Sequence, residues 1–211
     1  MNLTAAQLSR ASGLPLGQAT SWLPHINGAA WRASVVNSPR WAMFLAQLGH
    51  ESGGFGRLVE SLDYTPDALM RTWPSRYTLT LAQQHGRHPK APANQQAIAV
   101  HVYGGRLGNR PGTDDGWRYR GRGLIQVTGR DNYRACGDAL GLPLLAQPDL
   151  LQEPEHAAMS AGWFWTLRSI NGAADARDVE RATRAINGGV HGLADRQARY
   201  RVACSALGVT L

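Results

Sequence analysis

The sequence has 211 residues, 43% of them hydrophobic, which is enough to bury the core of one globular domain, and it lacks the apolar run of about 18 residues that a membrane-spanning helix needs. The formal net charge is +7, from 22 lysines and arginines against 15 aspartates and glutamates, and a basic surface favours an anionic partner. These cations are spread along the chain rather than clustered, which argues against a dedicated nucleic-acid-binding domain.

The first half of the chain has the pattern of an α-helical protein. Thr4 and Gln7 have the spacing of a capping box. Ser38 followed by Pro39 predicts the N-cap of a longer helix, which should stop at Gly53. One face of that helix carries Trp41, Phe44, Leu45 and Leu48. The other helices predicted in this half cover about residues 5–12, 15–33, 66–74 and 94–102, and residues 76–93 are expected to be irregular or weakly helical.

The second half begins with a glycine-rich loop, predicted at residues 104–116. Residues 117–127, WRYRGRGLIQV, alternate weakly and predict a small strand pair or an extended segment. Further helices are expected over about residues 129–140, 154–168, 178–187 and 193–207. No internal repeat or linker is visible, so we expect one mainly α domain spanning residues 1–211, with residues 1–35 as an amino-terminal helical segment packed on it.

Two glutamates have positions that suit acid–base chemistry. Glu51 follows Phe44 and Leu48 at helical spacing, so it should lie at the margin of a buried face, where partial desolvation favours the neutral acid. A neutral carboxylic acid can protonate a leaving-group oxygen. Glu60 follows in the connection to the next helix. A glycosidase uses two carboxyl groups, separated by roughly 6.5–9.5 Å for inversion or about 5–5.5 Å for retention. The alternative interpretation is a pair of solvated surface charges.

A run of hydrogen-bonding side chains lies further along the chain, in residues 117–133. Glycines alternate there with arginines, whose planar guanidinium groups carry several donors. Gln126, Thr128 and Asn132 follow at short intervals, and their amide and hydroxyl groups match sugar hydroxyls and acetamido groups. Taken alone, this segment is equally compatible with an RNA-contacting loop or a hydrogen-bonded structural hairpin.

Four motifs together resemble glycoside hydrolase family 19, which contains plant-type chitinases and a branch of phage and bacterial lysozyme-like endolysins. They are HESGGF at 50–55, ESLDYTP at 60–66, YRGRGLIQVTGRDNY at 119–133 and INGG at 186–189. The resemblance runs from about residue 38 to the end, and the opening residues look like the amino-terminal helices of the endolysin branch. It implies a single lysozyme-like fold, with two helical lobes around a cleft and a minor β element near residues 117–127.

The resemblance also assigns roles to residues of the matching motifs. Glu51 matches the general acid, and Glu60 matches the general base that activates water for an inverting displacement. Thr128 matches a hydroxyl that helps to hold this water. The predicted substrate-binding residues are Gln126, Asn132 and Asn187, to which we add Tyr119, Arg122 and Arg196.

The position of Arg196 is also predicted by an observation that is independent of the resemblance. Arg196 shares a helical face with Leu193 and Tyr200, so its side chain should point inward. An inward arginine usually pairs with a carboxylate, which is either catalytic or structural. By resemblance, Arg196 matches an arginine that orients the base, Glu60.

Two departures from plant chitinases favour the endolysin branch. The interval between Glu51 and Glu60 is short, and no disulfide framework exists, since Cys136 and Cys204 are expected to be free thiols. We therefore expect hydrolysis of the β-1,4 bond between N-acetylmuramic acid and N-acetylglucosamine in bacterial peptidoglycan. The alternatives are a chitinase, a lytic transglycosylase that works with one glutamate, and a non-catalytic glycan-binding module or partner-bound secretion effector.

The expected partners follow from this function. No metal motif is present, and we expect no cofactor, no nucleic-acid partner and no stable membrane insertion. The opening residues do not have the pattern of a signal peptide. We expect a monomer without a separate wall-binding domain, made in the host cytoplasm and reaching the cell wall through a pore such as a holin.

Overall fold

The computed structural model describes all 211 residues, and helices dominate it. This confirms the mainly α fold predicted from the sequence. None of the helices has the combined length and apolar character needed to cross a membrane. The α-helices are α1 Ala5–Ser12, α2 Leu16–Arg32, α3 Ser38–Glu51, α4 Pro66–Thr72, α5 Leu79–His85, α6 Gln95–Tyr103, α7 Asp115–Arg118, α8 Arg130–Leu140, α9 Pro154–Leu167, α10 Asn171–Asp175, α11 Val179–Asn187 and α12 Leu193–Leu207, and a 3-10 helix covers Pro148–Gln152.

Local side-chain chemistry fixes where several helices begin. The capping box of α1 forms as predicted, because the Thr4 side chain accepts from the Gln7 amide and the Gln7 side chain accepts from the Thr4 amide. The predicted N-cap of α3 is wrong by one residue. Asn37, in an extended conformation, accepts a hydrogen bond from the Arg40 amide, and Ser38 is already helical.

The structure corrects the sequence prediction in the short elements. Helix α7 begins at the end of the predicted 104–116 loop, α10 was not predicted, and α5 forms within residues 76–93, which were expected to be irregular or weakly helical. Such short helices contain too few turns for a hydrophobic period to be recognised. The minor β element contains no strand: Arg122 forms isolated antiparallel bridges with Val59 and Val127.

Two hydrophobic clusters form the interior. The larger one, of 39 buried residues, surrounds α3, which is buried on all sides from Trp41 to Gly49 rather than on one face. Helices α12 and α1 pack against α3, and α2 packs against α9. The smaller cluster, of eight residues, belongs to the region of α4, α5 and α6. The segment from Glu51 to Glu60 connects these two parts of the protein.

The contact between α2 and α9 requires a glycine, which gives a stability prediction. A Cβ atom at Gly162 would lie 2.7 Å from the Ala29 carbonyl oxygen, whereas a Cβ at Gly28 would meet no atom within 4 Å. Gly162→Ala should therefore lower the free energy of unfolding by about 1–3 kcal/mol. Gly28→Ala, its control within α2, should raise it by about 0.5–1 kcal/mol. Urea unfolding measures both, and equal effects of the two variants would contradict the close packing of α2 on α9.

Candidate active site

Glu51 is the last residue of α3, and its side chain is 19% exposed. Gly53 and Gly54 follow with φ angles of 58° and 75°, which glycine adopts without strain, so the chain leaves the helix in a tight turn. The Oε1 atom of Glu51 accepts a hydrogen bond from the Nη2 group of Arg196. The carboxyl group is therefore fixed on one oxygen by a residue of α12.

Arg196 is almost fully buried between α3 and α12, with 2% exposure. Its Nη1 group donates to the Gln47 side chain, and its Nη2 group donates to Glu51. Gln47 and Glu51 are one turn apart on α3, so a single planar guanidinium can contact both. The inward position predicted for Arg196 is confirmed, but the predicted partner is wrong, because Arg196 contacts Glu51 and not Glu60.

A second contact between polar side chains lies beside the first, and it joins His50 to Asp195, the residues that precede Glu51 and Arg196 in the sequence. The His50 ring nitrogen Nδ1 lies 2.7 Å from Asp195 Oδ2, and Arg199 Nε donates to the same oxygen at 2.8 Å. Hydrogen bonds from Arg199 and then from His50 lower the pKa of Asp195 below its ordinary value. The end of α3 is thus joined to the start of α12 at two successive positions.

Glu60 is held on both of its carboxylate oxygens. Oε1 accepts from the backbone amide of Gly121, and Oε2 accepts from the hydroxyl of Tyr103 at 2.8 Å. The Glu60 amide also donates to the Gly121 carbonyl at 2.9 Å. Burial, followed by the negative charge of Glu60, raises the pKa of Tyr103 well above its ordinary value, so this hydroxyl remains a donor.

Gln126 and Thr128 lie beside Glu60, around Gly121. A Cβ atom placed on Gly121 would lie 2.9 Å from Gln126 Oε1, 3.2 Å from Thr128 Oγ1 and 3.3 Å from the Cβ of Glu60. The Thr128 hydroxyl donates to the Gln126 carbonyl at 3.0 Å, which leaves its lone pairs available as acceptors. The structure therefore brings together three of the residues predicted for the site.

Asn132 and Asn187 are exposed and help to shape the backbone around the site. Asn132 donates to the Thr128 carbonyl at 2.8 Å. Asn187, at the end of α11, donates to the His191 carbonyl at 3.0 Å and accepts from the Gly189 amide at 2.9 Å. Both side chains keep hydrogen-bonding capacity that faces solvent.

Tyr119 and Arg122 are buried in the core, which corrects their prediction as residues that contact the glycan beside Glu60. Tyr119 is 4% exposed and donates to the Leu145 carbonyl at 3.1 Å. Arg122 is 2% exposed and donates to the hydroxyl of Tyr133 at 2.9 Å. Successive residues of an extended segment point in opposite directions, so Arg122 faces away from the side on which Gly121 meets Glu60.

Tyr103 and the pair of His50 and Asp195 were not predicted as site residues. Tyr103 is the last residue of a helix stopped by glycines, and only the folded chain brings it to Glu60. Its position before two glycines was the available signal.

The two cysteines, Cys136 and Cys204, are buried free thiols, and burial raises the pKa of Cys136 to about 12. No group of three or more metal-binding side chains comes together anywhere in the chain.

Comparison with known proteins links this arrangement to one family of glycosidases. A family model described as chitinase class I, of glycoside hydrolase family 19, matches residues 95–183. A Haemophilus influenzae protein described as containing a glycosyl hydrolase family 19 domain is 40% identical over 172 residues, which cover 81% of each chain. An Arabidopsis thaliana endochitinase is 39% identical over 107 residues, covering 47% of this chain but only 36% of the plant protein.

Solved structures share the fold. Chitinase C from Streptomyces griseus superimposes with a TM-score of 0.62 at 22% identity, over 98% of this chain and 77% of that chain. A bacterial family 19 chitinase superimposes with a TM-score of 0.56 at 23% identity, over 98% of this chain and 95% of that chain. At 22% and 23% identity, these superpositions are evidence for the fold alone.

Proposed function

Because this chain belongs to glycoside hydrolase family 19 and is a glycosidase, we propose that Glu51 and Glu60 are its general acid and general base. The observation that carries this proposal is that two carboxyl groups, nine residues apart, are fixed by unrelated parts of the chain. Glu51 is held from α12 by Arg196, and Glu60 is held by Gly121 and by Tyr103 of α6. Fixed orientation of an acid and a base is what general acid–base catalysis requires.

The hydrogen bonds suggest how each group works. Arg196 contacts Oε1 of Glu51, so Oε2 is available to carry the proton that passes to the leaving-group oxygen. Thr128 and Gln126 offer acceptors beside Glu60, where a water molecule can be oriented. Glu60 then removes a proton from this water as its oxygen bonds to the anomeric carbon, which gives inversion of configuration. No cofactor is needed for these steps.

The proposed substrate is the glycan strand of bacterial peptidoglycan, cleaved between N-acetylmuramic acid and N-acetylglucosamine. Two observations support it. The net charge of +7 favours adsorption to a polymer whose peptide branches carry carboxylates, whereas chitin is uncharged. In addition, only about a third of the Arabidopsis thaliana endochitinase aligns with this chain, so the similarity to that endochitinase is partial. Chitin is the second candidate, because plant relatives are described as endochitinases.

Product analysis on both polymers tests this proposal. We expect kcat/KM on purified peptidoglycan to exceed that on chitin oligomers by at least about tenfold, a difference of about 1.4 kcal/mol in transition-state binding. Mass spectrometry should find hydrolysed reducing ends, and NMR should first detect the inverted anomer. Rapid chitin turnover with inert peptidoglycan would overturn the substrate. Anhydro sugar ends would overturn hydrolysis in favour of a lytic transglycosylase.

A further inference from the structure

A polar cavity of about 400 Å³ lies on the other side of the segment that holds Glu60. It opens between α7, residues 120–122 and the 3-10 helix. The residues that matter for its chemistry are Asp114, Trp117, Arg118, Arg120, Arg122 and Asp149. We call this cavity the arginine pocket.

The guanidinium groups of the arginine pocket are ordered but incompletely paired. The Cζ atom of Arg120 lies 3.8 Å from the centre of the Trp117 ring, and its Nη1 group donates to the Trp117 carbonyl at 3.0 Å. The buried Nε groups of Arg118 and Arg122 have no hydrogen-bond partner. Arg122 is 2% exposed, so its unpaired Nε donor is withdrawn from water as well as from protein acceptors, and its positive charge is incompletely compensated.

The charges of the arginine pocket favour an added anion. Three arginines line it, against the two carboxylates of Asp114 and Asp149. Burial, followed by the positive charge of Arg122, lowers the pKa of Arg120 from its ordinary value, so these guanidinium groups repel each other. Asp149 lies 2.8 Å from Arg122 Nη2, but its side chain is 72% exposed, so solvent screens this pair.

We propose that the arginine pocket binds a carboxylate of the peptide branch of peptidoglycan. This inference rests on the substrate proposed above. A planar carboxylate matches the donor fork of a guanidinium group, which favours it as the ligand. The position suits a branch of the same substrate molecule, because Arg120 and Arg122 flank Gly121, whose amide holds Glu60. The charge of Glu60 also acts on Arg120, so the pocket and Glu60 are separated only by the extended segment, and a flexible peptide branch of a glycan strand bound at Glu60 would reach the pocket around it.

Direct binding is tested with three soluble probes: a peptidoglycan stem peptide with free carboxylates, the same peptide with every carboxyl amidated, and inorganic phosphate. The readout is the NMR signals of arginine Nε–H groups, assigned with single variants. We expect saturable shifts of the Arg120 and Arg122 signals with the free peptide and none with the amidated peptide. Equal binding of both peptides, or binding of phosphate alone, would overturn the proposal.

Variants separate the arginine pocket from general electrostatic attraction. Arg120→Gln should weaken binding of the free peptide about tenfold, because it removes one charge-assisted hydrogen bond. Arg71→Gln, which removes the same charge from an exposed position on α4, should leave binding unchanged. Asp149→Asn should tighten binding, because it removes a competing carboxylate. Weaker binding in Asp149→Asn, or equal effects of the two arginine variants, would contradict a specific site.

Activity assays distinguish a failure of this inference from a failure of the proposed function. Arg120→Gln should lower kcat/KM about tenfold on peptide-bearing peptidoglycan but not on glycan strands stripped of their peptides. Equal loss on both substrates, or no loss on either, would refute the arginine pocket while hydrolysis stands. If wild-type enzyme cleaves no peptidoglycan yet binds the free peptide through Arg120, the proposed substrate fails and the anion site remains.

Discussion

Glu51→Gln is expected to lower kcat/KM on the glycan substrate by about 10²–10⁴-fold, the range that a positioned general acid contributes. A carboxamide at this position cannot protonate the leaving-group oxygen. It can still accept a hydrogen bond from Arg196, so the geometry at the end of α3 should be preserved. Reducing-end assays on purified substrate measure the loss.

The control for Glu51→Gln separates chemistry from folding. Arg196 is 2% exposed and loses its carboxyl partner in this variant, so the free energy of unfolding should fall by about 1–3 kcal/mol, with the far-UV circular dichroism spectrum unchanged. Glu180→Gln, in an exposed pair with Arg184, makes the same substitution and should retain full activity. Retained hydrolysis in folded Glu51→Gln would show that another group is the acid.

The parts of the fold that could be predicted are those specified by neighbouring residues. The capping box of Thr4 and Gln7 and the Thr65 cap before Pro66 each act within a few residues, so the helix starts follow from the sequence. The start of α3 was misplaced because Asn37 and Ser38 are both suitable caps, and backbone geometry decides between them. Helices α5, α7 and α10 depend on tertiary contacts and have too few turns to show a period.

For the predicted site residues too, some features follow from neighbouring residues and others depend on tertiary packing. Glu51 and Glu60 occupy recognisable positions, at a helix end and in the following connection, but their partners are distant in sequence. The helical face of Arg196 showed that it points inward, and only the packing of α12 on α3 selects Glu51 as its partner. Arg122 was assigned to the wrong side of the extended segment because donor-rich residues there can face either side, and the sequence does not say which.

Glu60→Gln is expected to lower kcat/KM by about 10²–10⁴-fold, because an amide cannot accept the proton of the attacking water. The structure adds a second reason for loss. Both Glu60 oxygens accept hydrogen bonds, from the Gly121 amide and the Tyr103 hydroxyl. Glutamine offers one acceptor and one donor group, so one of these two contacts must be lost or reversed. Steady-state kinetics on the same substrate as for Glu51→Gln measure the effect.

Asp63→Asn is the matched control for Glu60→Gln, since Asp63 is an exposed carboxylate three residues further along that pairs with Arg87. It should retain activity and nearly all stability, because exposed ion pairs contribute about 0–1 kcal/mol. If Glu60→Gln instead stayed active and released anhydro sugar ends, Glu51 alone would carry the chemistry. The contacts from Gly121 and Tyr103 would then orient a structural carboxylate. If Glu60→Gln is inactive but folded and Asp63→Asn remains active, the reaction needs Glu60 as a second carboxylate. This is the result expected for hydrolysis by an activated water.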